Sequence, residues 1–283
     1  GIGSPLAFKT AVTLAVLAAV VFGLPVIRRH VVSAPVMRVV RAFLPSMGDT
    51  ERIALEAGTV WWDGDLFSGN PDWQKLLDFV SQPLSEEEQE FLDGPVEKLC
   101  AMLDDWQIAQ DRDLSPEVWD FLKRERFFGM IVPEEHGGLG FSAIGHSAVI
   151  VKISSRSVTT AVTVMVPNSL GPAELLLHYG TDEQKKYYLP RLARGEEVPC
   201  FALTEPHAGS DAASTRSSGV VCRGTYKGKE VLGIRLNWNK RYITLAPVAT
   251  VIGLAFRLFD PDGLLGGEED IGITCALIPR DVQ

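Results

Sequence analysis

The sequence predicts an α+β fold with an N-terminal transmembrane helix, a helical domain and an antiparallel β domain. An uncharged apolar run occupies residues 10–27, and helix-capping patterns recur over residues 84–197. Short apolar runs separated by glycine and Asp-Pro turns then fill residues 198–283. We therefore divide the chain into a membrane anchor with its basic flank (1–48), an aromatic-rich linker (49–83), a helical domain (84–197) and a β domain (198–283).

The apolar run of residues 10–27 is close to the length that spans a bilayer. As a helix it rises ~27 Å, against a hydrocarbon core of ~30 Å. A signal peptide and a buried core helix are the alternatives. However, Pro35 follows the small residues Ser33 and Ala34 and suits cleavage poorly, and the Arg28-Arg29 pair suits a membrane boundary. The positive-inside tendency places the body on the cytoplasmic side.

Charge is distributed unevenly along the chain, whose net charge is −9. Residues 1–48 contain five basic and no acidic residues, which favours contact with anionic lipid. The acidic remainder lacks the basic surface that phosphate neutralisation requires, so we expect no nucleic-acid partner. The four cysteines form no CxxC pair, and we expect neither a metal site nor a disulfide framework.

The segment that follows the anchor, residues 61–73, mixes turn-forming residues with tryptophans. Gly69 and the Asn70-Pro71 pair break helices, which predicts an ordered loop whose tryptophans pack onto the body. A ligand-stacking role for the tryptophans is the alternative.

The helical domain is predicted from its start signals. Ser85 and Glu88 form a capping box, and apolar residues from Phe91 to Trp106 then recur at helical spacing. Ser115-Pro116 opens another helix, and a second capping box lies over residues 181–184.

A glycine-rich loop at residues 137–140 interrupts this domain. Its glycines predict a tight turn, after which Ser142 caps the next helix. A phosphate cradle is the alternative, but no strand of the dinucleotide-binding type precedes the loop. His136 is interpreted as a surface residue.

The β domain is predicted from five short apolar runs. They lie at residues 200–204, 220–222, 230–232, 249–254 and 274–278. A sharp loop at residues 204–211 follows the first run, because Pro206 and Gly209 force the chain to turn. Its amides and hydroxyls suit either an anion or heterocycle site or a locally capped turn.

Two segments of the β domain resemble a known family. Residues 201–206 (FALTEP) and 208–211 (AGSD) resemble the signature of the acyl-CoA dehydrogenase family, and residues 239–244 (NKRYIT) look like its second flavin-facing strand. Residues 133–140 and 180–185 match the family pattern in the same order. The tryptophan-rich segment and apolar N-terminus resemble long, membrane-associated members of bacterial fatty-acid β-oxidation.

The resemblance implies a bound FAD and a set of residues around it. Phe201, Leu203 and Thr204 would lie along the flavin, Gly209 and Ser210 near a phosphate, Tyr242 over a ring face, and Thr244 near flavin N5. Many relatives have tryptophan where this sequence has Tyr242, so the stacking area is smaller here.

The implied reaction converts an acyl-CoA to a trans-2-enoyl-CoA. In the family the base is a glutamate of a C-terminal domain, which we expect this chain to lack. We therefore expect no catalytic residue within residues 1–283, and no turnover by this chain alone. Glu205 is interpreted as structural.

The resemblance also implies partners and a location. These are an acyl-CoA substrate, an electron-transfer flavoprotein or another respiratory carrier, membrane lipid, and further copies of the chain. The expected location is the bacterial inner membrane, with the body on its cytoplasmic face. An acyl-CoA oxidase of the same fold and a non-catalytic membrane adaptor are the alternatives.

Overall fold

A computed structural model describes residues 5–44, 52, 56, 61–169 and 171–282 of the protein. The chain divides into two compact units, residues 1–80 and 81–283.

The first unit begins with the predicted apolar helix. Helix α1 spans Pro5–Gly23 rather than residues 10–27, and its mean hydropathy is 2.1 with no buried residue. Its length and composition would allow it to cross a membrane, although a signal sequence has the same properties. The helix ends early because Pro25 restricts the residue before it, and Leu24 is extended. Helix α2 (Pro25–Arg28), a π-helical turn (Arg29–Ser33) and helix α3 (Ala34–Arg41) follow.

The tryptophan-rich segment forms two short helices, where we predicted a loop. They are α4 (Asp63–Ser68) and α5 (Trp73–Leu77). Gly69 ends α4 with φ +77°, and the Asp72 carboxylate caps α5 by accepting the N–H groups of Gln74 and Lys75. The indole of Trp62 is buried, donates to the Asp72 carbonyl at 2.7 Å, and lies 4.9 Å from the Trp73 ring. The helix-breaking residues 69–71 therefore separate two helices: Gly69 ends the first, and Asp72 caps the start of the second.

The second unit begins with eight helices in its described residues. They are α6 (Glu86–Asp93), α7 (Pro95–Met102), α8 (Asp105–Asp111), α9 (Pro116–Arg124), α10 (Ala143–Ser154), α11 (Val158–Ser169), α12 (Pro172–Tyr179) and α13 (Asp182–Ala193). The predicted starts are confirmed: Ser85 and Thr181 make complete capping boxes, and the hydroxyls of Ser115 and Ser142 accept backbone N–H groups.

The single amphipathic helix predicted after Ser85 is wrong in its extent. Gly94 leaves helical geometry with ψ −87°, and Pro95 starts α7 in a new direction. Asp104 then caps α8 through the N–H of Gln107. The apolar spacing is confirmed at Phe91, Leu99 and Leu103, which pack into one core. It is wrong at Met102 and Trp106, which are 40% and 75% exposed.

Glu88 joins two helix starts inside the unit. Its carboxylate is buried and accepts the N–H of Ser85 at 2.9 Å and the N–H of Ser142, which caps α10, at 2.7 Å. Burial would raise the pKa of Glu88, but the bonds from Ser142 and Ser85 outweigh it and lower that pKa. One side chain thus fixes α6 against α10.

Replacing this carboxylate should destabilise the unit measurably. We expect Glu88→Ala to cost about 1–3 kcal/mol, because two donors lose their acceptor. Thermal melting of the protein in mild detergent measures the loss, with exposed Glu90→Ala on the same helix as the control. Equal melting midpoints for the two variants would contradict this role.

The sheet of the second unit has five strands in its described residues. They are β1 (Pro199–Ala202), β2 (Ser218–Tyr226), β3 (Lys229–Asn237), β4 (Val251–Phe259) and β5 (Asp270–Pro279). Each of the five predicted runs overlaps one of these strands. The pairs β2–β3 and β4–β5 are antiparallel, as predicted.

The sheet as a whole is mixed, which corrects the expectation of antiparallel pairing throughout. Strand β4 is central: β1 and β2 pair with one of its edges in parallel, and β5 pairs with the other edge. Parallel neighbours need long connections, and the segments 203–217 and 238–250 provide them. The candidate site residues lie on these two connections and at the end of β1.

Candidate functional site

The first segment of the candidate site leaves the sheet at the end of β1. Phe201 lies in β1 against Gly253 of β4, where an added Cβ would come within 3.1 Å of the phenylalanine ring. Leu203 and Thr204 follow the strand and are partly buried. The N–H of Glu205 then donates to the Ala208 carbonyl at 2.8 Å, which closes the predicted turn. Gly209 and Ser210 are exposed beyond it.

The second segment, residues 239–244, is irregular and is not the strand that we expected from the resemblance. Tyr242 has φ +57° and Leu245 has φ +65°, which no strand accommodates. Tertiary bonds select this conformation, since the N–H of Arg241 donates to the Thr204 carbonyl at 3.0 Å. The structure thus brings the two predicted segments side by side.

The aromatic and hydroxyl groups of these segments are accessible. Tyr242 is 82% exposed, with the Arg241 guanidinium 4.9 Å from its ring centre, and Thr244 is exposed. Among the residues that the structure describes, none hydrogen-bonds to the hydroxyl of Thr204, Ser210 or Thr244. Three hydroxyls therefore remain able to bind a polar ligand.

A buried ion pair lies behind this surface. Glu205 and Lys240, whose side chains are 4% and 1% exposed, are 2.7 Å apart. The carboxylate also accepts the Arg216 N–H at 2.8 Å, the Ser217 N–H at 3.0 Å and the Thr215 hydroxyl. Burial alone would raise the pKa of Glu205, but the bonds from Lys240, Ser217, Thr215 and Arg216 hold that pKa far below its usual range.

Glu205 is therefore held as an enclosed anion by its partners, and its structural interpretation stays a prediction. Sequence reasoning missed Lys240 as a site residue, although it lies within residues 239–244, which resemble the second flavin-facing strand. The signal that could have pointed to a buried cation is Glu205, which lies between an apolar strand and the turn at Pro206. A carboxylate that is buried there needs a counter-ion. The sequence does not indicate which of its 27 basic residues supplies it.

The depressed pKa predicts how stability depends on pH. A glutamate with a lower pKa in the folded state stabilises the protein above its unfolded pKa of ~4.3, and that contribution is lost as pH falls toward the folded pKa. We expect the difference in melting midpoint between the wild type and Glu205→Gln to shrink as the pH falls from about 6 to about 3. The exposed Glu90→Gln variant serves as control, and a difference independent of pH would contradict the assignment.

The glycine-rich loop has a structural role, in agreement with the weak case for a phosphate cradle. Its N–H groups are used internally: Gly138 donates to the Pro133 carbonyl, Leu139 to Gly129, and Gly140 to Val132. These amides are not available to bind a phosphate.

An apolar crevice of about 580 Å³ opens on the face of the sheet that carries Phe201. Its walls include Leu175 and Tyr179 of α12, Tyr188 of α13, and Leu277 of β5. These side chains suit an apolar group better than a charged one.

Comparison with known proteins identifies two matching family models. The model for the acyl-CoA dehydrogenase N-terminal domain matches residues 83–196, and the model for the acyl-CoA dehydrogenase middle domain matches residues 200–283. Together they cover the helices from α6 onward and all of the described sheet except Pro199, the first residue of β1.

Individual relatives agree with these models. An acyl-CoA dehydrogenase of Bacillus subtilis is 37% identical over 134 residues, covering 47% of this chain and 33% of the relative. The human mitochondrial very long-chain specific acyl-CoA dehydrogenase is 36% identical over 159 residues, covering 55% of this chain and 24% of the relative. Among solved structures, an FAD complex of PigA aligns with a TM-score of 0.57 at 24% identity, covering 71% of this chain and 50% of that chain. The chain thus matches a quarter to a half of the length of these proteins.

Proposed function

The chain belongs to the acyl-CoA dehydrogenase family, and from this premise we propose that the whole protein oxidises an acyl-CoA thioester to a trans-2-enoyl-CoA in fatty-acid β-oxidation. The substrate loses a proton from its α-carbon and a hydride from its β-carbon. FAD, when bound, accepts that hydride. The observation that carries the proposal is the juxtaposition of residues 203–204 with residues 241–244 through the bond from the Arg241 N–H to the Thr204 carbonyl.

The residues present fit FAD, which has a polar ring edge, a flat aromatic face and a pyrophosphate. Under this proposal the Thr204 and Thr244 hydroxyls bind the polar edge, and Tyr242 covers a ring face. Phe201 and Leu203 provide apolar contacts, and Gly209 and Ser210 approach the pyrophosphate. The unpartnered hydroxyls and the exposed tyrosine support this assignment.

The base that removes the α-proton is not Glu205. Four donors, three of them on Oε1 and one on Oε2, hold its carboxylate ionised, and its burial encloses it away from a substrate. We propose a carboxylate outside residues 1–283 as the base. The present chain alone should then show no turnover, and dehydrogenation by residues 1–283 would overturn that assignment.

Electron transfer distinguishes the proposed dehydrogenase from an oxidase of the same fold. A dehydrogenase passes its electrons to an electron-transfer flavoprotein or another respiratory carrier, whereas an oxidase forms peroxide under air. The family membership and the apolar helix favour a respiratory carrier. A non-catalytic adaptor would bind no flavin and would therefore purify as a colourless protein.

Assembly into a homo-oligomer also belongs to the proposal.

Membrane attachment is the remaining part of the proposal. Helix α1 has the length and hydropathy of a membrane span, and Arg28, Arg38 and Arg41 follow it. The positive-inside tendency would leave the body on the cytoplasmic face of a bacterial inner membrane, next to acyl-CoA. Anionic lipid would bind the basic flank.

The assignment of the hydroxyls can be tested by removing two of them. We expect Thr204→Val combined with Thr244→Val to weaken FAD binding by the full-length protein about fivefold or more, since each lost hydrogen bond costs about 0.5–1.5 kcal/mol. Quenching of flavin fluorescence measures the dissociation constant. Thr225→Val, at an exposed threonine of β2, is the control. Unchanged affinity in the folded double variant would contradict the assignment.

A further inference from the structure

The ion pair between Glu205 and Lys240 connects the two segments of the candidate site. The Lys240 ammonium donates to the Glu205 carboxylate at 2.7 Å and to the Leu203 carbonyl at 3.0 Å. One buried cation thus contacts both sides of Thr204 in the chain.

The segments are joined a second time by Arg241. Its N–H donates to the Thr204 carbonyl at 3.0 Å, and its guanidinium donates to the Pro206 carbonyl at 3.2 Å. Successive carbonyls of the first segment therefore receive donors from successive residues of the second. The side-chain hydroxyl of Thr204 remains without a partner among the described residues.

The carboxylate ties this junction to the sheet. It accepts the N–H groups of Arg216 and Ser217, which directly precede β2, and the Ser217 carbonyl accepts the Arg257 N–H of β4 at 2.8 Å. The position of Lys240 is therefore set by the central strand through Glu205. The Leu203 and Thr204 carbonyls are thus held by Lys240 and Arg241, while the Thr204 hydroxyl is left without a partner among the described residues.

We propose that Glu205 and Lys240 are positioning residues for the flavin, which hold the Leu203–Thr204 backbone and the Tyr242–Thr244 segment at the separation that FAD binding requires. This inference rests on the proposed function and extends it, because neither side chain is exposed enough to touch the cofactor. Its alternative is an ion pair that only stabilises the fold.

A double variant without the two charges distinguishes a positioning role of the ion pair from a role in fold stability alone. Glu205→Gln combined with Lys240→Met leaves no unpaired buried charge, and replacing both partners of a buried ion pair is often tolerated by the fold. The matched control is Arg257→Gln with Asp270→Asn, which removes an ion pair of the same sheet whose partners are both nearly half exposed.

The first measurement is FAD affinity of the full-length protein after removal of its cofactor. We expect the double variant to melt cooperatively and to bind FAD about tenfold or more weakly than the wild type, whereas the control pair binds as the wild type does. Affinity within about twofold of the wild type in the folded double variant would overturn the positioning role. A wild type that binds no FAD would instead overturn the proposed function. If the double variant does not fold, Thr215→Val removes one donor to Glu205 and should still weaken binding several-fold.

The second measurement is the reduction potential of the bound flavin in the single variants. Lys240→Met leaves the Glu205 carboxylate unbalanced and should lower the potential, because added electrons are then repelled. Glu205→Gln leaves the ammonium unbalanced and should raise it. Shifts of the same sign, or no shift, would mean that the pair lies too far from the flavin to position it, and would contradict the inference.

Discussion

Replacing Phe127 by alanine is expected to destabilise the helical part of the second unit by about 3–5 kcal/mol, the usual cost of deleting a buried phenylalanine. Phe127 is fully buried in the main core, with its ring 4.8 Å from Phe91 and 6.1 Å from Phe121. Its backbone carbonyl also accepts the side-chain amide of Asn168 at 2.7 Å. Neighbouring rings cannot collapse far into the cavity, since each is fixed by its own packing.

The melting midpoint of the protein in mild detergent measures this loss. Each kcal/mol corresponds to roughly 2–4 °C for a unit of about 200 residues. Trp106→Ala is the matched control, because Trp106 lies in α8 and is 75% exposed. We expect the control to change stability by less than about 0.5 kcal/mol. A Phe127→Ala midpoint within the range of the control would contradict the assignment of this core.

Gly138→Ala is expected to cost at least about 3 kcal/mol, at the upper end of the range for overpacking. A Cβ at this position would lie 1.9 Å from the Val132 carbonyl oxygen and 2.5 Å from the Val132 carbonyl carbon. A backbone group cannot rotate away as a side chain can. Moreover, the same carbonyl accepts the Gly140 N–H at 2.9 Å, so relief of the clash breaks the loop.

The consequences should extend to the sheet. Val132 packs in the cluster that includes Leu189 of α13 and Val251 of β4, and β4 pairs with β1 at the candidate site. We expect Gly138→Ala to lower the melting midpoint and the yield of folded protein. Gly224→Ala is the control, since a Cβ on this glycine of β2 meets nothing within 4 Å. Equal midpoints for the two variants would show that the loop adapts without cost.

Much of the fold could be predicted because its signals are local. The hydroxyls of Ser85 and Thr181 cap helices where the capping boxes predicted them. The five strands could be predicted from short apolar runs between turn residues. One exception is the helix interrupted at Gly94 and Pro95, where apolar spacing continues through a break in the backbone. The others are the two helices of the tryptophan-rich segment and the parallel strand pairs of the sheet. Spacing alone does not distinguish one helix from several that share a core.

The candidate site was predictable only in part, because its geometry depends on distant contacts. Thr204 and Tyr242 were identified from motif resemblance, but the positive φ of Tyr242 depends on bonds made by its neighbours Lys240 and Arg241. Glu205 and Lys240 are 35 residues apart in the chain. No local sequence pattern indicates that they pair. The order of the strands in the sheet is likewise not predicted, because long connections give no sequence signal for which strands become neighbours.

The proposed activity is tested most directly by anaerobic titration of the purified full-length protein with palmitoyl-CoA, followed through the visible absorbance of the flavin. We predict prompt bleaching of the oxidised flavin band, because the hydride from the β-carbon reduces FAD in the absence of an electron acceptor. A flavin that is present but stays oxidised under excess palmitoyl-CoA and other acyl-CoA thioesters, or a protein that contains no flavin, would contradict the proposed dehydrogenation.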